Sequence, residues 1–102
     1  MTLHKAVSIE AFPESGVAKA TLGGREFAII RLDGSFFAID GLCSHSEGEL
    51  GDGTIVEGQL VCPIHEGRFD PRNGKANPAD DWVSDLRTYP TKVDEGHVWL
   101  DL

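Results

Sequence analysis

The chain contains two cysteines, and each stands a few residues before a histidine: Cys43-Ser44-His45 and Cys62-Pro63-Ile64-His65, with sixteen residues between His45 and Cys62. Two thiolates and two imidazoles are a donor set for a binuclear iron–sulfur centre, with sulfur on one iron and nitrogen on the other. Zinc is the rival. Zinc–sulfur bonds are about 2.3 Å and zinc–nitrogen bonds about 2.0 Å, so two ligands of one tetrahedral ion lie roughly 3.5 Å apart. Residues two apart in extended chain lie roughly 6.6 Å apart. Cys43 and His45 therefore meet one ion only in a tightly curled segment, and span two adjacent irons more naturally. Cys62 and His65 do the same from the second motif. The usual zinc pairs, C-x₂₋₄-C and H-x₃₋₅-H, are missing from the sequence. A structural zinc module for protein interaction stays open as the alternative at this point.

Composition fits that reading. At 102 residues the length suits one domain over 1–102. A chain this short gains from an internal staple, which a metal centre would supply. Two cysteines are too few for a secreted disulfide scaffold, and no apolar run has the length of a membrane span, so a cytoplasmic protein is expected. The net charge of −8 leaves no basic stripe for phosphates, which disfavours nucleic acid as a partner. From Asp40 to Gly67 the acids Asp40, Glu47, Glu49, Asp52, Glu57 and Glu66 occur with no Lys or Arg. Such a stretch steers toward a basic partner, or serves only as solvated surface.

The elements that must position these ligands read as short strands with turn punctuation. Lys5–Ile9 is a first strand, with one helical turn at 8–12 capped by Ser8. Val17–Leu22 ends at Gly23-Gly24. Arg25–Leu32 and Ser35–Asp40 flank Asp33-Gly34, a hairpin signal. Thr54–Val56 and Gln59–Val61 flank Glu57-Gly58. Arg68–Asp70 runs into the turn Pro71-Arg72-Asn73-Gly74. Leu86–Val93 and His97–Leu102 form a closing hairpin. Twelve glycines and regular turns favour an all-β antiparallel sandwich or small barrel, with both motifs at strand–loop junctions. Trp99 is expected in the core, and His4 and His97 on the surface. No nucleophile, acid–base pair or substrate pocket stands out.

The stretch CSHSEGELGDGTIVEGQLVCPIHEGRFDPRNGKANPAD, with its C-x-H-x₁₆-C-x-x-H pattern, resembles the cluster-binding subdomain of Rieske ferredoxins. GGREFAIIRLDGSFFAIDGLCSH resembles the strand pair leading into it, and the final hairpin fits the closing strands. The likeness is strongest to the free-standing ferredoxins of multicomponent aromatic-ring-hydroxylating dioxygenases.

It implies a Rieske-like antiparallel β fold with a cluster-binding subdomain, about 41–80, at one tip. It also implies one [2Fe-2S] cluster, with Cys43 and Cys62 on the inner iron and His45 and His65 on the outer. The implied role is a soluble one-electron carrier, monomeric and not catalytic alone. Electrons would pass from an NAD(P)H-dependent flavin reductase to a terminal Rieske oxygenase. A small subunit of a nitrite reductase or other oxidoreductase is the nearest rival.

High-potential relatives carry a bridging cysteine pair where Gly48 and Ile64 stand, and Ser and Tyr hydroxyls where Gly67 and Phe69 stand. Their replacement here, with the acidic charge, implies the low end of the Rieske range of about −150 to +300 mV. Pro78 matches the family's third loop. Trp82 follows it as a packing or docking aromatic, and Glu66 stands where Gly is common.

Overall fold

A computed structural model describes residues 2–12, 16–41, 49–63, 67–77 and 85–102. Ten short strands appear in chain order. They are β1 (Leu3–Ser8), β2 (Gly16–Leu22), β3 (Arg25–Leu32), β4 (Ser35–Asp40), β5 (Thr54–Val56), β6 (Gln59–Val61), β7 (Arg68–Phe69), β8 (Thr88–Tyr89), β9 (Thr91–Asp94) and β10 (His97–Asp101). They form three antiparallel sheets, ordered β1-β10-β9, β2-β3-β4-β8 and β5-β6-β7. Helical backbone among the described residues is confined to the 3₁₀ turns Ile9–Ala11 and Leu50–Asp52. Ser8 caps the first, its Oγ accepting from the Glu10 N–H at 3.3 Å. No helix among the described residues is long and apolar enough to cross a membrane.

The four-stranded sheet is the spine, because it is covered on both faces. Alternate side chains of a strand point to opposite faces. Ala28, Ile30 and Leu32 of β3 enter one hydrophobic cluster, with Ile39, Leu50, Leu60, Cys62, Phe69 and Leu86. Phe27 and Ile29 enter the other, with Phe12, Ala20, Ala38, Val98 and Leu100. That double burial explains the unbroken apolar run Phe27–Ile30, since a strand with one face in water would alternate. Burial of each large side chain contributes about 1.5–3 kcal/mol, so both clusters matter to a chain this short.

The hairpins follow their turn residues. Asp33-Gly34, Glu57-Gly58 and Glu95-Gly96 each hold two successive positive φ angles, such as 51° and 78° in the first. That is the two-residue turn whose twist matches the strands on either side. Two expectations are corrected here. Leu86–Val93 is not one strand: Pro90 lacks an N–H and breaks the ladder, so Tyr89 pairs with Ala38 in the spine while Thr91 pairs with Leu100 in the sheet below. Trp99 is not core: the register buries Val98 and Leu100 and turns Trp99 outward, half-buried. Its Nε1 donates to the Asp94 carbonyl at 3.1 Å, and the Lys5 ammonium lies 5.6 Å from its ring. His4 is exposed, and His97 is half-buried with Nδ1 3.0 Å from the Glu95 carbonyl.

Candidate metal centre

Cys62 is the first residue beyond β6, and the small sheet fixes it there. Gln59–Val61 is clamped between β5 and β7, with Leu60 opposite Ile55 on one side and Phe69 on the other. The Cys62 N–H donates to the Gly67 carbonyl at 2.8 Å, closing the base of the segment between them. The residue is free of any disulfide and fully buried, on an apolar floor shared with Leu50, Leu60, Phe69 and Leu86. Such a cysteine is either a small hydrophobe or a ligand. A bare thiolate on this floor would be strongly disfavoured, whereas one bound to a cationic centre is compensated. The donor and its surroundings therefore fit an iron–sulfur centre.

The flanks of the segments 42–48, 64–66 and 78–84 meet at the same cluster. The Leu50 N–H donates to the Gly41 carbonyl at 2.8 Å, joining the flanks of 42–48. Cys62 and Gly67 join the flanks of 64–66. The Leu86 N–H donates to the Gly74 carbonyl at 2.7 Å, and the Ala76 N–H to Asp85 Oδ1 at 2.9 Å, joining the flanks of 78–84. Leu50, Cys62 and Leu86, at or beside these flanks, share one buried cluster with Phe69. The approach at Gly74 is close: its φ is +74°, and a Cβ there would sit 2.2 Å from the Leu86 carbonyl oxygen. Beside it the turn after β7 is self-braced, with Asp70 Oδ1 accepting from the Arg72 N–H and Asn73 Oδ1 from the Lys75 N–H, both at 2.9 Å.

Of the four expected ligands, Cys62 is among the described residues, buried at the end of β6. Cys43, His45 and His65 lie outside the described residues, as do Glu47, Gly48, Ile64, Glu66, Pro78 and Trp82. Gly67 and Phe69 are described, and both are buried. Neither carries a hydroxyl.

The acidic stretch is less bare than the sequence suggests. Lys19 of β2 places its Nζ 3.0 Å from Asp52 Oδ2 and 3.4 Å from Glu49 Oε2. The hydrogen bond to Asp52 is the main reason the Lys19 pKa is raised. Glu26 has a raised pKa first because its carboxyl shares a hydrogen bond with Glu49, then through partial desolvation. Asp40 accepts from the Tyr89 hydroxyl at 2.6 Å and from the Arg87 N–H at 3.1 Å, and Arg25 Nη2 donates to that hydroxyl at 2.6 Å. Burial, followed by the bond to Asp40, raises the Tyr89 pKa. Arg25, Glu26, Asp40, Gly41, Asp85 and Leu86 help to line an open groove of about 600 Å³. Sequence reasoning missed Lys19 and this groove. Both join residues far apart in the chain, Lys19 of β2 meeting the acids at the 3₁₀ turn Leu50–Asp52.

Comparison with known proteins agrees with this geometry. The family described as Rieske [2Fe-2S] domain matches residues 2–90. The chain is similar to the ferredoxin component of the naphthalene 1,2-dioxygenase system of Pseudomonas aeruginosa, 35% identical over 97 residues, covering 95% of this chain and 92% of that protein. It is 33% identical over 99 residues to the anthranilate 1,2-dioxygenase ferredoxin subunit of Burkholderia cepacia, covering 97% of this chain and 91% of that protein. Its fold resembles the ferredoxin of carbazole 1,9a-dioxygenase from Nocardioides aromaticivorans IC177, with a TM-score of 0.86 at 28% identity over 98% of this chain and 97% of that one.

Proposed function

The chain belongs to the Rieske [2Fe-2S] domain family, and from that premise we propose that it is the one-electron carrier of an aromatic-ring dioxygenase system. The relatives reported above are named as ferredoxin components of such systems, and the likeness to them runs along nearly the whole chain. In this reading the chain is not catalytic alone. It takes electrons from an NAD(P)H-dependent flavin reductase and delivers them to a terminal Rieske oxygenase. It works as a cytoplasmic monomer, and residues 1–102 form one domain. The observation that carries the proposal is the buried Cys62 at the exit of β6, on the floor that also holds the flanks of the other ligand segment.

Cys43 and Cys62 would hold one iron, and His45 and His65 the other. A single [2Fe-2S] cluster bound there supplies reversible one-electron transfer. The chain's own residues do the rest. Leu50, Phe69 and Leu86 keep water from beneath Cys62. The bond from the Cys62 N–H to Gly67 fixes the direction in which the segment leaves β6. Gly67 and Phe69 offer no hydroxyl to a cluster sulfur, and the chain is strongly acidic. Both disfavour the reduced, more negative state, so the potential lies at the low end of the Rieske range.

Metal and sulfide analysis with EPR of the dithionite-reduced protein tests the reading. The expected result is equal iron and acid-labile sulfide, with the low average g value of mixed nitrogen and sulfur ligation. Zinc in place of iron overturns it. A midpoint potential above about +100 mV overturns the potential argument alone.

A further inference from the structure

Glu49 and Asp52 lie just beyond the segment 42–48, which carries Cys43 and His45. Glu49 precedes the 3₁₀ turn Leu50–Asp52 and Asp52 ends it, and Leu50 of that turn is fully buried. Lys19 reaches both from β2, with Nζ 3.4 Å from Glu49 and 3.0 Å from Asp52. Its path is shaped to fit. The aliphatic arm lies over Gly51, where an added Cβ would come 1.9 Å from Lys19 Cγ and 3.0 Å from Lys19 Cβ. Gly51 has no unusual φ, so the space for the lysine arm is what a side chain there would disturb. At the opposite end of the same segment Gly41 donates to the Glu26 carbonyl at 2.8 Å.

We propose that Lys19 is the positioning residue for the first ligand segment, pinning its exit to the spine sheet through Glu49 and Asp52 across Gly51. The inference rests on the reading that Cys43 and His45 are ligands. Lys19 bonds to Glu49 and Asp52. It acts by holding Leu50 against Gly41 and by placing one positive charge among Glu26, Glu49 and Asp52. The carboxyl of Glu26, pushed upward by its neighbour Glu49, reports how crowded with negative charge that corner is. The three partners of the clamp are about half exposed, so its strength is modest and measurable rather than decisive for folding.

Three variants test it on the holoprotein: Lys19→Met, Lys19→Arg and Gly51→Ala. Hydrogen exchange at the Leu50 amide reads the clamp without reference to electron transfer. Lys19→Met is expected to speed that exchange about threefold, the size of an exposed ion pair. It also lowers the equilibrium constant for reduction about twofold, or about 18 mV at 59 mV per decade, because a positive charge is lost. Lys19→Arg restores both. Gly51→Ala keeps the charge and displaces the arm, so Leu50 exchange rises as in Lys19→Met while the potential moves less. Unchanged Leu50 exchange in both Lys19→Met and Gly51→Ala overturns the clamp. Exchange that rises in Lys19→Met with the potential unmoved overturns the charge role. Wild-type protein without the iron signal overturns the ligand reading first and this inference with it, so the two failures are told apart.

Discussion

The spine sheet and the small sheet beside it are built on opposite plans. Between β2 and β3 the ladder runs without a break from Gly16 opposite Arg31 to Leu22 opposite Arg25, and β3 continues in register onto β4. Both faces of that ladder carry apolar clusters. The small sheet pairs three residues between β5 and β6 and two between β6 and β7. Among the described residues it has no apolar cluster of its own. Leu60, Cys62 and Phe69 insert into the cluster that the spine already presents. What keeps the small sheet in place is thus borrowed burial and a set of turn bonds. The spine supplies stability, and the small sheet ends at the buried Cys62, the proposed ligand.

The sharpest way to break that division is to remove one fully buried side chain from each region. Cys62→Ser is expected to abolish iron and sulfide binding and the visible absorbance, while far-ultraviolet circular dichroism keeps its β-sheet form, because the spine ladder does not pass through Cys62. Ile29→Ala empties a site on the face of β3 away from the metal centre. It should lower unfolding stability by about 2–5 kcal/mol, yet leave the reduced EPR signal in place below its lowered Tm. If Cys62→Ser unfolds the spine, or Ile29→Ala erases the signal while the chain is still folded, the two regions are not separable as described.

The same division explains what could be read from the sequence. The hairpin β3–β4 and the pair β5–β6 were legible because their turns are local: Asp33-Gly34 and Glu57-Gly58 demand positive φ whatever surrounds them. The proposed ligand pattern is local in the same sense, two short Cys/His pairs, of which Cys62 alone lies among the described residues. The failures are non-local. Leu86–Val93 has strand-forming residues on both sides of Pro90, and nothing local says that Tyr89 and Thr91 belong to different sheets. Trp99 is a large aromatic on a buried strand, and only the register against β1 and β9 turns it outward. The acids between Asp40 and Gly67 looked uncompensated because Lys19 lies thirty positions from Glu49 in the chain. The floor of Leu50, Phe69 and Leu86 has no signature in any single segment.

A smaller effect sharpens the comparison at the seam. Gly74 sits where the turn after β7 meets Leu86, with positive φ and a Cβ position 2.2 Å from a backbone oxygen. Gly74→Ala must both adopt a left-handed backbone and push Leu86 away. A loss of about 1–3 kcal/mol in denaturant unfolding is expected. Gly58→Ala is the control, because its φ is also positive but its Cβ meets open space. It should lose about 1 kcal/mol or less. Equal losses at the two sites would mean that backbone conformation alone, and not the junction with Leu86, matters at the seam.

The smallest effect is a pH dependence at the point where the spine hands the chain to the first ligand segment. Tyr89 on β8 donates its hydroxyl proton to Asp40, the last residue of β4, and is partly buried against Phe27, with ring centroids 5.0 Å apart. Its pKa is raised, so the folded chain holds this proton more tightly than the unfolded chain does. The resulting stability is complete below pH about 10, the ordinary tyrosine value, and is lost as pH rises through the higher folded value. Lys19 has a raised pKa through Asp52 and adds a loss of the same sign, beginning near its own ordinary value of 10.5. Denaturant unfolding between pH 9 and pH 11 should therefore show wild type losing stability with pH, with Tyr89→Phe flatter and Tyr89→Phe combined with Lys19→Met flatter still. Tyr89→Phe will also be weaker at neutral pH, because Asp40 and Arg25 lose a partner, so the slope and not the level is the test. A slope in Tyr89→Phe equal to that of wild type would mean that the folded chain does not hold the Tyr89 proton more tightly than the unfolded chain.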